Sequence, residues 1–292
     1  MSANPSCSHR NIYGIICAEL PKRNTAARRL GCPNGTENPH TIPYYTRLMP
    51  LGMPRHTMDA LMKTRNLPLD EPALGSRRMA DALGRPLHQL RISVTDRCNF
   101  RCTYCMPKAI FGANHRFLPR SEVLSFEETE RLTRILVDLG VEKVRLTGGE
   151  PTLRRDLPQL VSRLAGIPRL REINLTTNGS RRVALAAPLH HSGRTRVTGR
   201  RDSLADSTFR AMNDVDFPVG RVLDGIEAAR AAGFANIKVN TVVKREVNND
   251  GILDIARYFR GTGVVVRFIE FMDVGASNGW RMRDVVTAEE IL

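Results

Sequence analysis

At 292 residues the chain is long enough to bury a sizeable core in one or two domains. No stretch of about 18 or more consecutive apolar residues occurs, so no helical membrane span is expected, and Tyr13, Gly14 and Glu19 interrupt the one apolar run near the start, which argues against a secretory leader. A net charge of +14 is read either as Arg-rich helix surfaces that keep the chain soluble or as a site for an anionic partner; no basic block with interleaved aromatics is present, so among partners a phosphate-bearing small molecule is expected in preference to nucleic acid. Six cysteines in a chain of this size do not make a disulfide scaffold; a reducing cytoplasm is the expected setting.

Residues 1–75 show no sustained apolar period and are rich in Pro, Asn, Arg and Thr. They are expected to be a disordered N-terminal extension, with Cys7, Cys17 and Cys32 as free thiols lacking ligand spacing. From Leu90 a strand–helix rhythm sets in. Leu90, Ile92 and Val94 alternate as one face of a first strand. Ser125 and Glu128 form a capping box ahead of a helix with Leu132, Ile135, Leu136 and Leu139 that stops at Gly140. Further strands are expected over 141–146, 173–176, 194–200, 237–243 and 264–269. Helices are expected over 156–164, 181–191, 219–232 and about 250–260. Six such repeats with short connections and right-handed crossovers predict a partial (β/α)6 barrel over 84–292. Thr287 and Glu290 spell another capping box two residues before the chain ends; a single turn does not hold alone, so the chain is expected to stop inside an element.

The strand ends carry the chemistry. Three cysteines, Cys98, Cys102 and Cys105, follow the first strand in a CxxxCxxC spacing. Thiolates this crowded repel unless they share a cation. A [4Fe–4S] cluster is such a cation, and three ligands would leave one iron open. A zinc site and inert thiols are the alternatives, although zinc ordinarily takes four ligands and no second pair follows. An open iron suits a ligand with an amine and a carboxylate, as S-adenosylmethionine has. Gly148-Gly149-Glu150-Pro151 closes the second strand, and glycine allows close approach of the backbone to a ligand. Gly148, Gly149 and Glu150 are expected to receive the cofactor's amine, Tyr104 to shield it, and Met272 to pack on its adenine, with core packing the alternative for Met272. Arg91, Arg145, Lys238 and Arg267 share the inward alternation of their strands, and Thr176 adds a hydroxyl. Charges inside strands need partners, so this face reads as a triphosphate or nucleotide site.

The CxxxCxxC loop and the Gly148-Gly149-Glu150-Pro151 turn resemble the radical S-adenosylmethionine superfamily. The stretches 90–108, 145–156, 175–179, 211–218 and 267–280 are similar to its molybdenum cofactor biosynthesis branch, the GTP 3′,8-cyclases. The resemblance covers about 84–292. It implies a lyase in which one [4Fe–4S] cluster on Cys98, Cys102 and Cys105 reductively cleaves S-adenosylmethionine. The 5′-deoxyadenosyl radical so formed takes H3′ from GTP, and C3′ then attacks C8 to give 3′,8-cyclo-7,8-dihydro-GTP. It further implies GTP contacts from Arg91, Arg145, Thr176 and Lys238, cofactor contacts from Tyr104, Gly149 and Met272, an electron donor and a homodimer. Two departures stand out. No cysteine follows Cys105, whereas the family holds a second cluster on three further cysteines. In the fourth strand Gly199, Arg200 and Arg201 stand where the family reads Val, Ser and Leu. Arg200 thus replaces a cofactor-binding Ser, and burying an unpaired guanidinium there would be costly. The competing expectations are an inactive or truncated remnant keeping only the cluster half, and a radical enzyme acting on another substrate such as a peptide.

Overall fold

The computed structural model describes residues 16–19 and 78–292 except 194 and 276. Within them a single sheet of seven strands runs in sequence order: β1 (Ile16–Glu19), β2 (Gln89–Ser93), β3 (Lys143–Thr147), β4 (Glu172–Thr177), β5 (Thr195–Arg200), β6 (Lys238–Val243) and β7 (Val265–Glu270). The six strands from β2 to β7 are parallel, each next to its predecessor. That is the expected (β/α)6 succession. Ile16–Glu19 lies inside the segment expected to be disordered and pairs antiparallel with β2 at the sheet edge; the rest of residues 1–75 lies outside the described residues.

Each parallel strand has two unlike faces, as the two-residue period of a strand requires. One face is apolar: Leu90 and Ile92 of β2, Val144 and Leu146 of β3, Ile173 and Leu175 of β4, Val197 of β5 and Val239 of β6 are all buried in one core cluster. Over this face lie the helices, of which α2 (Phe126–Asp138), α3 (Leu157–Ala165), α4 (Arg182–His191), α6 (Val219–Ala231) and α7 (Ile252–Phe259) follow the strands in turn. Leu160, Val161 and Leu164 of α3, Ile226 and Ala229 of α6 and Ile255 of α7 complete the layer. The other face is polar, and the register puts Arg91 beside Arg145, Arg145 beside Asn174, and Asn174 beside Arg196.

The capping box at the head of α2 forms as expected: the Glu128 amide donates to Ser125 Oγ, and the Ser125 amide donates to Glu128. Gly140 follows with a left-handed φ of 118°, the conformation that stops the helix. The expected start of α3 at Asp156 shifts by one, because Asp156 itself is left-handed and caps nothing through its side chain. Sequence periodicity also passes over two short helices, α1 (Lys108–Phe111) and α5 (Asp206–Asn213). No cap residue announces α5: Ala205 precedes it without a capping bond. The C-terminal turn α8 (Ala288–Ile291) carries the predicted Thr287–Glu290 box.

Arg201 is the oddity of the core. It leaves β5 on the apolar face, is fully buried, and its Nε and Nη1 have no hydrogen-bond partner. Its Nη2 makes a long hydrogen bond, 3.5 Å, to the Val219 carbonyl. Burial pulls its pKa down to about 10. Replacing such a charge by an apolar side chain of similar bulk is commonly stabilising. Arg201→Leu should therefore raise the unfolding free energy by about 2 kcal/mol. Urea unfolding of the metal-free chain measures this; a lowered midpoint would show that Arg201 contributes stability instead.

Candidate functional site

The cysteine loop leaves the C-terminal end of β2 and is pinned from three sides. From beneath, the Arg101 and Thr103 amides donate to the Asn213 and Met212 carbonyls at the end of α5, and the Phe100 ring packs 6.3 Å from that of Phe209. The helix that sequence periodicity misses is thus the floor of the loop, and the spacing of buried Phe209, Met212 and Asn213 is the signal that marks it. Arg101 braces the loop from within, its Nη1 donating to the carbonyls of Cys98 at 2.7 Å and Phe100 at 2.8 Å. From the far rim Asn278 donates to the Tyr104 and Met272 carbonyls at 3.0 and 2.9 Å.

The Gly148-Gly149 turn after β3 lies directly against the start of this loop. The Gly149 and Glu150 amides donate to the Thr95 and Arg97 carbonyls, both at 2.8 Å. A Cβ on Gly148 would meet the Thr95 oxygen at 2.3 Å, and one on Gly149 the Arg97 oxygen at 2.3 Å. Glycine is needed here for backbone to touch backbone. The Gly149 and Glu150 amides are spent on the loop, and the carbonyls of the turn are what it can offer a protonated amine. Glu150 is buried, and its Oε1 accepts from the Thr152 amide and hydroxyl and from the Thr177 hydroxyl, while Oε2 accepts from the Asn178 amide at 2.6 Å. Asn178 in turn donates to Asn99 at 2.9 Å. Asn178 stands just past the end of β4, the kind of position that carries a site.

The three sulfurs sit in one apolar cluster with Phe100, Tyr104 and Phe271. Cys102 is buried, Cys98 and Cys105 half-buried. Burial pushes the Cys98 thiol up to about 11. The Cys102–Cys105 hydrogen bond, joined by the Arg200 guanidinium, holds Cys105 below the usual thiol range, while that bond and burial raise Cys102. Among the described residues no three His, Cys, Asp or Glu side chains converge closely enough to hold a single metal ion. Sulfurs that each take a different iron corner of a cluster need not converge on one point, so the donor set fits a [4Fe–4S] group better than a lone zinc.

Tyr104 is buried, and its hydroxyl donates to Asp202 in a short hydrogen bond. Asp202 also accepts from the Val242 amide at 2.9 Å, and Asn248 bonds the Asp202 and Val242 carbonyls at 2.7 and 2.8 Å. The clasp joins the loop to the ends of β5 and β6. Arg200 is half-buried, with Nη1 3.6 Å from Cys105 Sγ and its guanidinium carbon 5.1 Å from the Tyr104 ring centre. Among the described residues no carboxylate forms an ion pair with this guanidinium; its neighbours are a sulfur and an aromatic face. Met272 is 55% exposed, so core packing does not account for it.

On the concave face, Arg91 and Arg267 are exposed while Arg145, Thr176 and Lys238 are half-buried. Arg196, which sequence reading passed over, belongs to the same face. Burial first, then the charges of Arg267, Arg196 and Arg145, holds Lys238 below the usual ammonium range, with Glu172 opposing. An ammonium depressed by neighbouring cations in this way gains from a bound anion.

Residues 92–259 match the radical SAM superfamily. Over 212 residues the chain is 54% identical to a GTP 3′,8-cyclase of Acidothermus cellulolyticus, covering 73% of this chain and 59% of that one. It is 47% identical to a GTP 3′,8-cyclase of Staphylococcus epidermidis, covering 73% and 62%. The chain therefore spans about 60% of the length of these curated relatives. In fold it is similar to Streptococcus suis SuiB bound to S-adenosylmethionine, with a TM-score of 0.54 at 19% identity over 66% of this chain and 42% of that one. It is similar also to HydG, a maturase of the [FeFe]-hydrogenase, at 0.53 and 14% over 70% and 47%. With its loop of three cysteines, its parallel half-barrel and a sequence match over more than half its length, the chain belongs to the radical SAM superfamily, whose cofactors are a [4Fe–4S] cluster and S-adenosylmethionine.

Proposed function

We propose that residues 84–292 form the barrel of a GTP 3′,8-cyclase of molybdenum cofactor biosynthesis. The observation that carries this reading is the row of cations on the concave face below the cysteine loop, on a chain 54% identical to a protein of that activity. When bound, a reduced cluster and S-adenosylmethionine would supply the radical chemistry that joins C3′ of GTP to C8. The protein's share is binding and orientation. Cys98, Cys102 and Cys105 hold the cluster. The carbonyls of the Gly148-Gly149 turn receive the cofactor's amine, buried Glu150 holds that turn in place, and exposed Met272 covers the adenine from the rim. Tyr104, tied to Asp202, fixes the loop between two of its ligands. Arg91, Arg145 and Lys238 receive the triphosphate through charge-assisted bonds, and Thr176 donates its hydroxyl. The reaction draws two electrons from an external donor, one for the reductive cleavage of S-adenosylmethionine and one, with a proton, to bring the cyclised guanine to its closed-shell 7,8-dihydro form; it suits the cytoplasm and is carried out by a homodimer. Among the described residues no helix is long and apolar enough to cross a membrane.

The test is anaerobic reconstitution of the full chain with iron and sulfide, followed by GTP and S-adenosylmethionine. The cyclised nucleotide and GTP-dependent 5′-deoxyadenosine are expected; 5′-deoxyadenosine released equally without GTP would overturn the substrate assignment. Removing one phosphate-binding charge by Lys238→Met should weaken GTP binding about tenfold to a hundredfold, the worth of one charge-assisted hydrogen bond, while leaving cluster content unchanged. Gly149→Ala should do the reverse. Its Cβ meets the Arg97 backbone, so the loop must shift, and iron content per chain should fall; full iron loading in that variant would contradict the packing role given to the glycine.

A further inference from the structure

The family resemblance does not account for an arginine at position 200, and nothing in the proposed chemistry uses one. Arg200 lies at the end of β5, opposite Asn240 of β6, with Arg267 of β7 next in the same row. Among the described residues no carboxylate comes within ion-pairing distance of it. Its contacts are the Tyr104 ring face, which binds cations weakly, and Cys105 Sγ at 3.6 Å. Asp202 is close enough to be felt, but its carboxylate is engaged by the Tyr104 hydroxyl and the Val242 amide. A cation in this setting lacks a formal counter-charge, and the one group it touches that carries negative charge when ligating metal is the Cys105 sulfur.

We propose that Arg200 is a positioning residue for the cluster, donating to the Cys105 sulfur and holding a permanent positive charge against it, so that the cluster is easier to reduce than it would be beside a neutral side chain. Reduction adds one electron to the cluster, and a cation at this distance favours the more negative state. Hydrogen bonds to ligating sulfurs and local net charge are the levers by which proteins set such potentials. The charge of arginine does not titrate in the working range. Tyr104 and Asp202 keep the guanidinium in place: the ring lies under it, and the Asp202 clasp fixes the ring.

The inference rests on the cluster reading of the Cys98–Cys105 loop, and the test separates the two. The full chain and its R200S, R200Q and R200K variants are reconstituted anaerobically, iron and sulfide are counted, and the cluster's midpoint potential is read by redox titration followed by electron paramagnetic resonance. R200S and R200Q should each show a reduced-to-oxidised ratio at least tenfold lower at a fixed potential, a downward shift of about 59 mV for a one-electron couple. R200K should stay close to the unmodified chain. Loss of the cluster from both neutral variants but not from R200K supports the same claim, because the charge then decides whether the anionic group is held. Full loading with an unshifted potential in R200S and R200Q overturns it, as does loss of the cluster from all three variants. An unmodified chain that takes up no iron defeats the cluster reading itself.

Discussion

A carboxylate shut away from water holds the mouth of this half-barrel together. Glu150 gathers the Thr152, Thr177 and Asn178 donors around itself, and a buried carboxylate is tolerated only when its lone pairs are met in this way. The clasp joins the end of β3 to the end of β4. Through the Glu150 amide and the paired glycines it also fixes the start of the cysteine loop. A second clasp, Asp202 with Tyr104, Val242 and Asn248, does the same on the far side for β5 and β6. Between them the two carboxylates set the loop against four strands. The three sulfurs are thereby held by rigid elements rather than by a free loop, as a site that must place a reactive group needs.

Below the loop, the two faces of the sheet divide the work. The apolar face supplies the burial that stabilises the fold. The concave face gathers Arg145, Arg196 and Arg267 about Lys238, with Glu172 opposing their effect on it, a setting that a bound polyanion would relieve. The net charge of the chain thus has a local meaning on this face, and it does not require nucleic acid. Arg200 continues the positive field up to the sulfurs, where the charge acts on the cluster instead of the substrate. Arg201, one residue on and pointing the opposite way, has no such use in the apolar layer.

The strand succession was legible because Leu90/Ile92, Val144/Leu146 and Ile173/Leu175 alternate cleanly with polar residues, and a period of two is a strong signal. The cysteine loop and the glycine turn were legible because their spacing is chemical, not statistical. Helix α5 was not, since it is short and lacks a side-chain cap, and its stability comes from packing under Phe100. Glu150 was expected to reach a ligand, and its heavy use inside the clasp could not be foreseen, because three of its donors come from Thr177, Asn178 and the folded turn at Thr152. Arg200 was foreseen as an unpaired charge; only the approach of Cys105 and Tyr104 in space supplies its neighbours. Arg196 escaped notice because it sits at the start of β5, where alternation has barely begun.

The account turns on three thiolates holding a [4Fe–4S] cluster with one iron left for S-adenosylmethionine. The most direct measurement is electron paramagnetic resonance of the reduced, reconstituted chain before and after S-adenosylmethionine is added. A cluster signal whose g-values change on addition is the predicted result, because the cofactor then binds the iron that no cysteine holds. A cluster signal that is indifferent to S-adenosylmethionine, or a chain that binds zinc and gives none, would contradict it.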